Sequence, residues 1–271
     1  MTRLVNYQPK GALRIFLVVL PFLLMLAAYL WASNARLEIN PNDKLLPSFS
    51  SMASAMDRMA FSVSKRSGEY LMLNDTLASL QRLGLGILFS AAIGLMFGLI
   101  QGALPVVRTT LSPMVTAISL IPPMAILPML FIIFGLGELS KVILITVGIT
   151  PFIIRDLQSN VLRLPQELLV KAQTLGGNSW QIIIRVILPQ TLPRLIEAVR
   201  LSLGPAWLFL IAAEAIAATE GLGYRIFLVR RYLSMDVILP YVFWIACLAF
   251  LTDYLLRLLS QRSFPWYHKE N

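Results

Sequence analysis

Hydrophobic residues in this chain fall into six runs, at about 15–33, 77–103, 111–135, 142–154, 195–218 and 241–259, divided by polar stretches. A helix needs roughly 20 apolar residues to cross the hydrocarbon of a bilayer. The pattern therefore predicts about six transmembrane helices and an all-α, polytopic membrane fold, with residues 1–271 forming one domain. The first run follows a segment that carries Arg3, Lys10 and Arg14 and no acid. It is longer than the roughly 7–15 apolar residues of a secretory leader, so an uncleaved span is favoured over a signal peptide ending near Ser33-Asn34-Ala35.

Residues 34–76 are polar, with acids and bases in balance, and read as an external loop in which 52–64 can form an interfacial helix. In the second run Gly86, Ser90, Gly94, Gly98 and Gly102 recur every four residues. Small residues at that spacing let a second helix backbone approach closely in lipid. The third run contains Pro122, Pro123 and Pro128, beside Met124. Each proline removes a backbone donor, which is tolerated where neighbouring protein or a water-filled cavity supplies partners. The third span is thus expected inside the bundle, as a kinked helix or as part of the wall of a path. Gly137–Ser140 reads as a tight turn, and Pro151 as shortening or bending the fourth span. Residues 219–240 lie outside the membrane and can hold a short amphipathic helix.

The polar interruption at 157–194 contains a helical hairpin at 170–189. Pro165 is placed to open a helix with Glu167 in its first turn, and Leu168, Leu169, Ala172 and Leu175 share one face. Thr174 and Leu175 precede Gly176 and Gly177, which stop the helix; Asn178 or Ser179 caps a second one from Trp180 to Leu188, which Pro189 ends or bends. By shape alone this is equally a plain connector.

Charged residues make up 14% of the chain against 57% hydrophobic, and mean hydropathy is +0.73. Soluble domains carry about 25% charged residues, so composition excludes that class. The net charge of +9 is scattered between apolar runs without interleaved aromatics, which fits lipid headgroups rather than nucleic acid. Basic residues gather on 108, 155, 163, 171, 185 and 194, which places the hairpin and both termini in the cytoplasm, although Arg225, Arg230 and Arg231 weigh against that side. Glu197 and Arg200 are expected to pair; Asp253 and Arg257 lie four apart at the inner end of the sixth run, and Trp266 and Tyr267 sit at headgroup depth. Glu214, an acid within a span, is a candidate for the path or for bonding between helices. Cys247 and His268 stand alone as residue types, so no metal cluster is expected. A phosphate loop of the form G-x-x-x-x-G-K-S/T is also missing, so the chain is expected to be no enzyme and to carry no cofactor itself.

Ala172, Gly176, Leu188 and Pro189, with Val186 in the place of an isoleucine, resemble the E-A-A-x-x-x-G, nine residues, I-x-L-P loop of ABC importer permeases. Val170 and Lys171 depart from its acidic start. LPSFSSMASAM, IPPMAILPMLFIIFGLGELSKV and AAEAIAATEGLGYRI are similar, in the same order, to segments of the nitrate/sulfonate/taurine/bicarbonate branch, so that the likeness runs from about 46 to 262. The resemblance implies a type I importer permease in a bacterial inner membrane, with 170–189 as the coupling contact for a separate ATPase. It further implies ATP and Mg bound by that partner in two copies, a periplasmic or lipoprotein solute-binding protein, and a second permease copy forming a homodimer. A small anionic solute would follow a path past Pro122, Pro123, Met124, Pro128 and Glu214. The competing reading is a stand-alone secondary carrier or channel, for which inverted repeats or more intramembrane charges would be expected. A membrane enzyme would need a reactive cluster, and none is visible.

Overall fold

The computed structural model describes residues 11–40, 43–63 and 68–267. Arg3, Lys10, His268 and the end of the expected 52–64 helix at Ser64 lie outside the described residues. Among the described residues the chain is a bundle of helices with five long enough and apolar enough to cross a membrane, or six when the bent pair Pro105–Ser119 and Pro123–Phe134 counts as one span.

Helix α1, Ala12–Ile39, stands at the side of the bundle with only Ser33 buried. Its far end is tied back by Tyr29 Oη, donating to the Pro47 carbonyl at 2.6 Å, and by Ser33 Oγ, donating to that of Leu46 at 3.0 Å. Helix α2, Phe49–Met56, is capped by the Ser48 side chain and runs into a π-helical turn at Asp57–Phe61, so the expected interfacial helix begins three residues early.

The centre of the bundle is the pair α3, Leu71–Ala103, and α6, Glu138–Leu162. A β-carbon built on Gly86 would lie 2.7 Å from Ile145, one on Gly94 2.5 Å from Ile153, one on Gly98 2.7 Å from Leu157, and one on Gly102 2.5 Å from Val161. The contacts advance along both helices in step, so α3 and α6 run parallel. Ser90 completes the row, with its hydroxyl 3.4 Å from the Thr146 carbonyl. In lipid no hydrophobic force favours helix contact, and close van der Waals packing between backbones takes its place. That packing is available only where the side chain is missing.

Two expectations about length are corrected. The fourth span is not shortened by Pro151: α6 runs 25 residues, with Gly137 as its N-cap. The third is not one kinked helix over 111–135. It is two helices, α4 at Pro105–Ser119 and α5 at Pro123–Phe134, bent by 93°. Pro122 is the N-cap of α5 and Pro123 its first residue, where a missing N–H costs nothing, so these prolines start a helix rather than kink one.

After the hairpin, α9 (Leu188–Ala217) returns through the bundle and packs on α6; the Phe209 ring fills the notch left by Gly148. A short α10 (Leu222–Arg230) folds back over the α9 end, and α11 (Met235–Ser263) closes the bundle. Arg200 does not take Glu197 as its hydrogen-bond partner. Arg200 forks onto Asp253 of α11 at 2.8 and 3.0 Å, while Glu197 accepts from Arg194 at 3.0 Å and Tyr267 at 3.1 Å. Burial, with the Glu197 carboxylate beside it, pushes the Tyr267 phenol above its ordinary pKa.

Gly94→Val should drive α3 off Ile153 and lower stability by about 1–3 kcal/mol, the usual cost of overpacking. Gly84→Ala, whose β-carbon meets open space, should melt at or above the wild-type temperature in a detergent thermal scan.

Candidate functional site

The bundle has two elaborated ends and a groove between them. At one end α7, Gln166–Thr174, begins at Pro165 and stops at a pair of glycines. Gly177 N–H reaches the Ala172 carbonyl at 3.0 Å and Gly176 N–H that of Gln173 at 2.9 Å, the paired bonds of a Schellman stop. Gly176 takes φ +79°, a left-handed conformation that side chains disfavour. Asn178, rather than Ser179, caps the next helix. Its side chain accepts from Gln181 N–H at 2.9 Å, and the Gln181 side chain accepts from Asn178 N–H at 3.0 Å.

That second helix, α8 at Ser179–Ile182, does not end at Pro189. It passes through a π-helical stretch, Ile183–Ile187, into α9, so helix runs unbroken over Ser179–Ala217. Pro189 falls in the first turn of α9, directly after the π-helical stretch. Ile182, Ile183 and Ile187 bury against Val161, Leu169 and Ala172, which roots the hairpin on α6. Leu175 leaves the face predicted for it: as C-cap it is 88% exposed, and Trp180 is 64% exposed. Lys171, Thr174, Asn178 and Ser179 complete an exposed tip.

At the other end lies a network of charged residues. Glu214, 0% exposed, accepts from Arg82 Nη1 at 2.7 Å, Ser79 Oγ at 2.8 Å and Gly223 N–H at 2.8 Å. Arg82, 2% exposed, also grips Glu138 and the Glu220 carbonyl. Asp75 accepts from Gly221 N–H at 2.9 Å, from Arg225 Nε at 2.8 Å and from the Tyr241 hydroxyl at 3.2 Å, and Ser79 Oγ accepts from Leu222 N–H at 2.9 Å. The free N–H groups at the start of α10 are thus satisfied by side chains of α3 and α9. The hydrogen-bond partners of Glu214 lie on α3 and α10.

Asp75, Ser79, Arg82, Glu138 and Tyr241 were missed by sequence reasoning. A signal existed: Asp75, Ser79 and Arg82, at intervals of four and three, precede Gly86 and Ser90 on the same helical face of α3. Arg225 is engaged by Asp75, so it adds little to the charge count that opposed the orientation.

Between the ends, the break at 120–122 exposes Pro122, Met124 and Pro128. Beside it a groove of about 470 Å³ is lined by Ser119, Leu120, Gly148, Phe152, Arg155 and Asp156. No group of three His, Cys, Asp or Glu that could hold a metal occurs among the described residues.

A helical bundle with a broken span and an exposed hairpin continuous with a spanning helix has the architecture of an importer permease. The fold is close to a chain of the MetNI methionine ABC transporter in an inward-facing conformation, with a TM-score of 0.64 over 73% of this chain and 98% of that one at 23% identity. Residues 90–264 match the family of binding-protein-dependent transport system inner membrane components, and the chain belongs to that family. It is 37% identical over 190 residues to the taurine transport system permease protein TauC of Escherichia coli K12, covering 70% of this chain and 69% of TauC. It is 31% identical over 188 residues to the putative aliphatic sulfonates transport permease protein SsuC of Bacillus subtilis, covering 69% and 68%.

Removing one member of a buried ion pair costs about 3–5 kcal/mol. Arg82→Met should destabilise by that order, and Glu214→Gln added to it should recover part of the loss. Thermal unfolding of the single and double variants measures this, with simple additivity as the opposing outcome.

Proposed function

We propose that this chain is the permease subunit of an ATP-driven importer, working as a homodimer with two copies of a separate ATPase. The observation that carries the reading is the hairpin: an exposed tip with Leu175 and Trp180 uncovered, joined without a break to spanning helix α9. Large exposed side chains on a rigid, well-capped turn are what a protein contact requires, since such anchors dominate interface energy. A partner moving against the tip would move α8, the π-helical stretch and α9 together.

In this reading ATP and Mg are held by the ATPase, and Ala172, Thr174, Leu175, Gly176, Gly177, Asn178, Ser179 and Trp180 form its contact, with Leu188 and Pro189 at the root. The hairpin and both termini face the cytoplasm of a bacterial cell. A periplasmic or lipoprotein binding protein delivers the solute at the α10 end, and the solute passes the α4–α5 break beside Pro122, Pro123, Met124 and Pro128. The names of the similar permeases support a small sulfonate or a related anion as cargo.

Trp180→Ala should weaken ATPase binding by about 2 kcal/mol or more, the size expected of an anchoring aromatic. Gly176→Val, strained at φ +79°, should leave the bundle folded and abolish ATP-driven uptake in proteoliposomes. Co-purification and uptake unchanged in both variants would sink the reading.

A further inference from the structure

Four arginines of the bundle are matched to carboxylates: Arg82 to Glu214, Arg194 to Asp156, Arg200 to Asp253 and Arg225 to Asp75. Arg155 is arranged differently. Its Nη1 donates to the neutral hydroxyl of Ser119 at 3.0 Å, across from α6 to the end of α4. The acid next to it, Asp156, also lines the groove but is held by both ends of the Arg194 fork at 2.6 and 2.8 Å. Arg155 is exposed in the groove with its charge unmatched there.

The direction of the side chain matters. Ser112 of α4 lies level with Gln158 of α6, their side chains 3.4 Å apart. Ser119 is about two turns further along α4, towards the break. Arg155 therefore reaches away from the hairpin end, along the natural tilt of a helical side chain toward its own N-terminus. An arginine anchoring to lipid headgroups would snorkel the opposite way, to the nearer surface. A charge directed into the bundle is tolerated where it meets water or a ligand. The planar guanidinium fork suits an oxyanion, which it can hold through two parallel bonds.

We propose that Arg155, with Ser119 beside it, forms an oxyanion contact in the groove at the α4–α5 break, where the negative group of the carried solute is held during its passage. This rests on the transport reading above and adds to it a residue that selects for charge. Leu120 and Phe152 supply apolar wall for the remainder of a small organic anion.

The test is uptake by the permease–ATPase complex in proteoliposomes with saturating loaded binding protein, using taurine, methanesulfonate and nitrate as solutes, with ATP hydrolysis measured alongside. Arg155→Gln should lower uptake of the transported anion about tenfold while binding-protein-stimulated hydrolysis stays within twofold, so that solute moved per ATP falls. Arg155→Lys should keep at least half of the uptake, and Ser119→Ala should lose a smaller part. Unchanged uptake in Arg155→Gln overturns the proposal. So does an equal fall of uptake and hydrolysis in all three variants, which marks a structural role. A defect that appears only in vesicles rich in anionic lipid overturns it in favour of a headgroup contact. Wild-type complex that hydrolyses ATP with a binding protein yet moves only neutral or cationic solutes also overturns it. Failure of the wild-type chain to bind an ATPase at all would instead sink the proposed function.

Discussion

The close approach of α3 and α6 is the constraint on which the other features depend. Four glycines and a serine on α3 bring its backbone against Ile145, Ile153, Leu157 and Val161 of α6, and no larger side chain fits at the glycine positions. The same face of α3 continues into Asp75, Ser79 and Arg82, which hold α10 and Glu214. At the other end Val161 of α6 meets Ile182, Ile183 and Ile187 beneath the hairpin. One helix contact therefore links both functional ends. Helix over Ser179–Ala217 is a second link, 39 residues long; at 1.5 Å per residue that is about 58 Å if straight. A displacement of the hairpin tip has a direct mechanical route to the opposite end.

Polar groups within hydrocarbon need internal partners, and many of the charged groups here find them in two compact networks. Near the hairpin, Arg194, Asp156, Glu197 and Tyr267 join α6, α9 and the tail; at the far end Arg82, Glu214, Asp75 and Arg225 join α3, α9 and α10. Such networks fix geometry more than they add net stability, because removing the charges from water offsets much of their attraction. Arg155, facing a hydroxyl and an open groove, is the contrast that gives the groove its chemical character.

Much of this was legible in the sequence because it depends on local rules. Apolar runs gave the spans, the four-residue spacing gave the packed face of α3, and the glycine pair with Asn178 gave the hairpin and its caps. Long-range partner choice was not legible. Arg200 has Glu197 one turn away but takes Asp253, which only the packing of α11 brings near. The prolines of the third run were readable as helix breaks; the 93° angle at which Pro122 and Pro123 open a new helix was not. Pro189 read as a stop because sequence does not show that a π-helical stretch and α9 continue the helix. The exposure of Leu175 followed from its place as C-cap, one residue beyond the helical periodicity that assigned it to the buried face.

The central claim is that the hairpin receives the ATPase. Hydrogen exchange of the permease in detergent, alone and with its ATPase bound, addresses it most directly. Slower exchange concentrated on 170–185, with the α10 end unchanged, is the predicted result. Unchanged exchange across 170–185 while another surface becomes protected would contradict it.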